Sequence, residues 1–375
     1  MTSAATSRVG RPPSGATFVY VSNADDGDIS MYVLDASGGI EQRPRINVAK
    51  GVMPMAVSPD RRFLCAVSRS PPCAIHLYAI DRGTGALTLS STSSLAESLP
   101  YISFDNSGRF VLGASYAASL VTVMGVGADR RIDTAPLQVI PVGRNAHSIR
   151  VDRTNRFAYV PTLGSDAVFM FKFDASTGSL ASNTPALCLT RAGSGPRHFV
   201  ISSDNRFLYV LCEMTADILT FALDGETGLL TEVSSVSGLL PGSPLVPGVP
   251  RGGPTTRDLE RDIWAADIHL TPDGEFLYIS ERTGSTLNAF QVDRATGKLT
   301  YLSTHATERQ PRGFAIDPSG RYLVATGEKS DTISLYGINF ASGALEGRRQ
   351  YPTGKGANWV EIVSFDGAAS DVAGP

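Results

Sequence analysis

Cysteine is rare in this sequence and unpaired in pattern. Cys65, Cys73, Cys188 and Cys212 are scattered over 375 residues with no C-x-x-C spacing. That excludes a zinc ribbon or a disulfide framework and suits a reducing, cytoplasmic compartment. Lysine is also sparse, confined to Lys50, Lys172, Lys298, Lys329 and Lys355, and the formal net charge is only -3. A field that weak does not attract nucleic acid. No apolar run approaches membrane-spanning length, and the opening MTSAATSRVGRPPSGA lacks an apolar h-region. No window sustains a helical period. No G-x-S-x-G is present, so the serine nucleophile elbow is excluded. What the chain does have is 37 glycines, 23 prolines and a hydrophobic content of 42%. That composition is globular, turn-rich and large enough for a sizeable core.

One short pattern recurs along the chain. GPRHFVISSDNRFLYVLCE, residues 195–213, has an apolar strand, a polar turn and a second strand opened by an aromatic. The same pattern appears in PMAVSPDRRFLCAVSR, PYISFDNSGRFVLGASY, HSIRVDRTNRFAYVPTL, DIHLTPDGEFLYISER and RGFAIDPSGRYLVATGE. The aromatics are Phe63, Phe110, Phe157, Phe207, Phe276 and Tyr322, spaced by 46 to 50 residues apart from the 69 between Phe207 and Phe276. A second motif runs in phase: DASGGI, DRGTGAL, DASTGSL, DGETGLL, DRATGKL and FASGAL, with a weaker GADRRI in the remaining place. Its acid and glycine fit a hairpin turn with positive φ. Seven copies of about four short strands predict an all-β, seven-bladed propeller. TFVYVSN near the start and NWVEIVSF near the end each lack their hairpin partner, so pairing them should close the ring and remove its exposed edges. The expected organisation is a flexible leader over 1–16, one propeller over 17–365, and a flexible tail over 366–375. The long interval places an inserted surface loop at about 236–262, rich in Pro and Gly.

Comparing copies singles out a site. The entry to each first strand holds Met53, Pro100, His147, Arg197, Ala266, Arg312 and Asn358. The exit of each second strand holds Arg69, Tyr116, Leu163, Glu213, Arg282 and Glu328. In an antiparallel hairpin these two series lie side by side, at one mouth of the central channel. Polar residues accumulate there as a mainly cationic cup, with His198 and Asp267 one position along and His269 deeper. Polar strand ends in a wet channel also serve simply to satisfy the backbone; the convergence of several is what favours a site. His269 is expected to hydrogen-bond Asp267 or the backbone. The register does not stack His147, His198 and His269 as metal ligands, so no metal and no cofactor is expected. His147 and Glu213 stand at strand ends outside the packed hairpin interior, where substitution should spare the fold.

GSGPRHFVISSDNRFLYVLCE, DIWAADIHLTPDGEFLYISERT and QPRGFAIDPSGRYLVATGEKSDTISLY resemble the seven-bladed propeller lactonase family. That family contains bacterial 6-phosphogluconolactonases and the fungal 3-carboxy-cis,cis-muconate cyclase. The likeness spans about residues 17–365 and is stronger to the phosphogluconolactonase branch. The cyclase branch implies a catalytic set of a His, two Arg and a Glu at the channel mouth, which by motif fall on His147, Arg197, Arg282 and Glu213.

The resemblance implies metal-independent hydrolysis of 6-phospho-D-glucono-1,5-lactone. His147 or Glu213 would be the base for water, and Arg197 would face the oxyanion or a carboxylate. Arg282 and Arg312 would hold the phosphate, with His198, Asp267, Arg69 and Asn358 completing the binding surface. The expected partner is an anionic lactone, with no nucleic acid or membrane, and the chain a monomer or weak dimer. Two other readings fit the same cup: a lactonase or cycloisomerase for another sugar lactone or a muconate, and a non-catalytic scaffold.

Overall fold

The turn segments explain why the first motif repeats. Five residues before each aromatic stands Ser58, Asp105, Asp152, Ser202, Thr271 or Asp317. In every copy its side-chain oxygen accepts the aromatic's backbone N–H, at 2.7–3.0 Å. The polar residues at this end are therefore consumed in shaping the turn.

The second motif repeats for a different reason. In the computed structural model, which describes residues 15–251 and 256–365, each motif glycine lies beneath an aromatic ring of the preceding blade. The pairs are Phe18 on Gly85, Phe110 on Gly178, Phe157 on Gly228, Phe207 on Gly297, Phe276 on Gly343 and Tyr322 on Gly38. All six glycines have φ between 67° and 80°. In the seventh place, where GADRRI departs from the motif, the Arg130 guanidinium lies 5.2 Å from the centre of the Phe63 ring. The two in-phase motifs are thus the two halves of one inter-blade lock. Gly228→Ala would combine a strained φ of 71° with overlap on the Phe157 ring. It is expected to destabilise the protein by about 2–4 kcal/mol, measured by urea denaturation.

Seven four-stranded antiparallel sheets form around the channel. The closing blade pairs Ala357–Ser364 with Thr17–Asn23, as the unpartnered end segments predict. Apolar side chains alternate toward the neighbouring blades, so the core is divided into seven clusters. One of them joins Tyr159 and Met170 to Phe199 and Phe221 across an interface.

The insertion begins after the outer strand Leu230–Ser237. It is tied back toward the channel mouth, with Val246 bridged to Asp262 and the Gly248 N–H donating to the Met214 carbonyl at 2.8 Å. The tail over 366–375 and residues 1–14 of the leader lie outside the described residues, as do insertion positions 252–255.

Candidate active site

Four of the first strands enter the sheet through an irregularity. Strand register shifts between Pro196 and His198, between Ala265 and Ile268, between Val52 and Met55, and opposite Ser22 and Asn23 at Asn358. Such bulges re-aim side chains that strict alternation would send to opposite faces. They allow consecutive residues, Arg197 with His198 and Ala266 with Asp267, both to serve the centre of the ring.

Glu213 anchors the mouth. Its Oε2 accepts from Arg197 Nε at 2.7 Å and from Arg282 Nη2 at 2.9 Å, while neither guanidinium binds Oε1. Arg197 is 0% exposed, Arg282 1%, Glu213 4% and His147 5%. The expectation that His147 and Glu213 stand outside the packed interior is therefore corrected. The strand ends fold inward and are covered by their neighbours. Burial pushes the Glu213 carboxyl up, but Arg282, Arg197 and Arg312 outweigh it and hold it below the ordinary glutamate value. Burial and the nearby Arg282 pull Arg197 down to about 9, still charged at neutral pH. Burial, Arg197, His198 and Arg312 keep His147 neutral, well below an ordinary histidine.

Arg282 is spent on the protein. Its Nε donates to the Trp264 carbonyl at 3.0 Å, its Nη2 also reaches the Ala265 carbonyl at 3.2 Å, and its guanidinium stacks 3.7 Å above the Trp264 ring. Arg251 of the insertion lies 4.6 Å from the same ring. Arg312 is freer, with one contact of 3.4 Å to Glu328. Arg69 donates to Ser98 at 2.9 Å and feels both Arg312 and Glu328.

Behind this layer, His198 Nδ1 lies 2.9 Å from Asp267 Oδ1, and His269 Nε2 lies 3.1 Å from Asp267 Oδ2. His269 thus meets Asp267 as expected. These three residues face a cavity of about 410 Å³ that continues down the channel past Tyr101, Trp359 and Glu361. Burial raises the Glu361 carboxyl to about 7. The cup predicted as one surface is therefore two layers. Arg197, Glu213, Arg282, His147, Arg312 and Arg69 form the mouth, while Asp267 belongs to the channel and His198 stands between. Asn358 is drawn away, its Oδ1 accepting from the Ser22 hydroxyl at 2.9 Å.

At this site four buried nitrogens from three blades have no partner: His147 Nδ1, Arg197 Nη2, His198 Nε2 and Arg312 Nε. Buried polar atoms are rarely left so, and several together mark a place for a ligand or water. Among the described residues, no group of three His, Cys, Asp or Glu side chains is placed to hold a metal ion. Sequence reading passed over Tyr116 and Glu328, although both occupy second-strand exits. The Tyr116 ring is 5.6 Å from His147, and burial with Glu213 beside it raises its hydroxyl to about 12. Trp264 and Trp359 carried no repeat signal at all, because each belongs to a single blade.

The fold is shared with known proteins. The family model of the seven-bladed β-propeller lactonases matches residues 16–362. A 6-phosphogluconolactonase of Pectobacterium carotovorum is 35% identical over 348 residues, covering 93% of this chain and 99% of the relative. One of Serratia proteamaculans is 34% identical over 346 residues, covering 92% and 98%. Among solved structures, the periplasmic gluconolactonase of Pseudomonas aeruginosa superposes with a TM-score of 0.81 at 24% identity, over 94% of this chain and all of that one; at that identity the likeness speaks for the fold. By sequence over nearly its whole described length, this chain belongs to the lactonase family of seven-bladed β-propellers.

Proposed function

We propose that the chain hydrolyses 6-phospho-D-glucono-1,5-lactone to the open-chain acid, at the mouth of the propeller channel. The observation that carries this reading is the group of four unpartnered buried nitrogens, two of them guanidinium and two imidazole. Lactone hydrolysis needs these two kinds of group: a neutral nitrogen base for water, and fixed positive donors where the tetrahedral oxyanion develops. Glu213 is poorly suited to be the base. Two arginines occupy one of its oxygens, and its charge is the counter-ion that both buried guanidinium groups share. Its role is to fix Arg197, whose Nη2 then faces the oxyanion.

The phosphate is assigned to Arg312 with Arg69 beside it. Arg282, the other arginine expected there, has its Nε and Nη2 engaged by the protein. Arg312→Ala should lower kcat/KM for the phosphorylated lactone by about 2–4 kcal/mol, the scale of a charge-assisted contact in a desolvated site. Unphosphorylated gluconolactone should be nearly unaffected. The assay is a panel of phosphogluconolactone, gluconolactone and muconolactones with EDTA present. Equal losses on both gluconolactones would overturn the phosphate assignment. Turnover of muconolactones alone would favour the aromatic-catabolism reading, and no turnover at all would favour the scaffold.

A cytoplasmic location is supported by four free cysteines. Among the described residues no helix is long and apolar enough to cross a membrane.

A further inference from the structure

Asp267 is held from every side. Its Oδ1 accepts from His198 Nδ1 at 2.9 Å and the Ile268 N–H at 3.0 Å; its Oδ2 accepts from His269 Nε2 at 3.1 Å and the Phe314 N–H at 3.3 Å. The neighbouring donors, led by His269 and His198, hold this carboxyl well below the usual aspartate value despite its burial. An ionised carboxylate only accepts, so the ring nitrogen facing it must carry the proton. His198 therefore has its hydrogen on Nδ1 and a bare lone pair on Nε2.

That lone pair is buried and unpartnered, on a residue only 3% exposed. The ring plane is fixed by edge contacts to Tyr101, His147 and Trp359, with centroids 5.0, 5.2 and 5.9 Å away. A histidine serving only the core would have both nitrogens satisfied. His147 differs in the decisive respect, since no carboxylate holds its ring as Asp267 holds that of His198, and the polar group beside it is its own backbone carbonyl.

We infer that His198 is the general base of the lactonase reaction and Asp267 its positioning residue, with His147 orienting the substrate or the attacking water. The assignment rests on the lactonase reading above. As the water oxygen bonds to the ring carbonyl carbon, a water proton passes to His198 Nε2 and the carbonyl π pair moves onto its oxygen beside Arg197. Collapse of the oxyanion breaks the bond from that carbon to the ring oxygen. The His198 imidazolium returns the proton to the departing oxygen, so lactone and water become the hydroxy acid with nothing left over. The charged and titratable groups facing His198 are Arg197, Asp267, Arg312, His147 and Tyr101. Burial and Arg197 push the imidazole down to about 3, against the pull of Asp267. It is thus unprotonated before reaction and gains a proton only while the oxyanion offsets the guanidinium charge.

The test is steady-state kinetics of the full chain on the lactone that the wild type hydrolyses. His198→Gln and Asp267→Asn should each lower kcat by at least about 100-fold, with KM within about threefold. The double variant should be no worse than His198→Gln, because the two residues act as a unit. Added imidazole should partly restore His198→Ala, which a purely structural histidine would not allow. ¹⁵N NMR of the wild-type histidines, independent of any variant's folding, should find the His198 proton on Nδ1. A His198→Gln protein that melts like the wild type and keeps more than a third of its kcat would overturn the role. So would a proton found on Nε2. A wild type that hydrolyses no lactone would instead overturn the functional reading itself.

Discussion

Glu213→Gln is expected to lower folding stability by about 3–5 kcal/mol, the scale of removing one partner from a buried ion pair. Arg197 and Arg282 are 0% and 1% exposed and both direct donors at the same carboxylate oxygen. With a neutral amide in place of the carboxylate, two guanidinium charges remain in a poorly solvated site with no counter-ion between them. Urea denaturation checks this, and a midpoint equal to the wild type would show that the arginines find other partners. The pH dependence follows with a definite sign. The folded-state pKa of Glu213 lies below its unfolded value. Its contribution is therefore complete above the unfolded value of about 4.3 and is lost as pH falls through the folded one. The glutamine variant should lose this part of the acid sensitivity, giving a flatter stability profile below about pH 4.

Arg197→Lys is expected to lower kcat by about 10²–10³-fold with little change in KM, the scale of losing one oxyanion donor. The wild-type guanidinium performs three tasks at once. Nε binds Glu213, Nη1 binds the Ala266 carbonyl, and Nη2 is left without a partner. A planar fork can direct three nitrogens from one rigid group, whereas an ammonium is a single point of charge that will settle on Glu213. The substitution keeps the charge and so separates geometry from electrostatics. Activity within tenfold of the wild type would mean that positive charge alone suffices and that Nη2 has no special role.

Much of this protein is legible in its sequence because a propeller is built from short-range rules applied seven times. A side-chain oxygen five residues before an aromatic makes each turn, and a glycine makes room for the aromatic of the blade before it. Both motifs can be counted without coordinates. So can the fact that strand entries and exits share one end of the ring, which brings His147, Arg197, Glu213, Arg282 and Arg312 into one list.

The tertiary structure decided what that list means. Repeat comparison assumes that equivalent positions point the same way, but bulges at Arg197, Ala266 and Asn358 break the equivalence. They bring Asp267 to His198 across a blade boundary and leave Asn358 bound to Ser22. Arg282 and Arg312 look alike in sequence. One has its Nε and Nη2 taken by carbonyls and Glu213 and its plane stacked on a tryptophan, while the other keeps a buried nitrogen without a partner. Which polar group is satisfied and which is left open depends on atoms supplied by neighbouring blades, 69 residues away along the chain for Arg282 and Glu213. Sequence by itself therefore determined the fold, its closure and the end that carries the candidate site. Only the packing of one blade against the next determined which nitrogens remain available to a substrate.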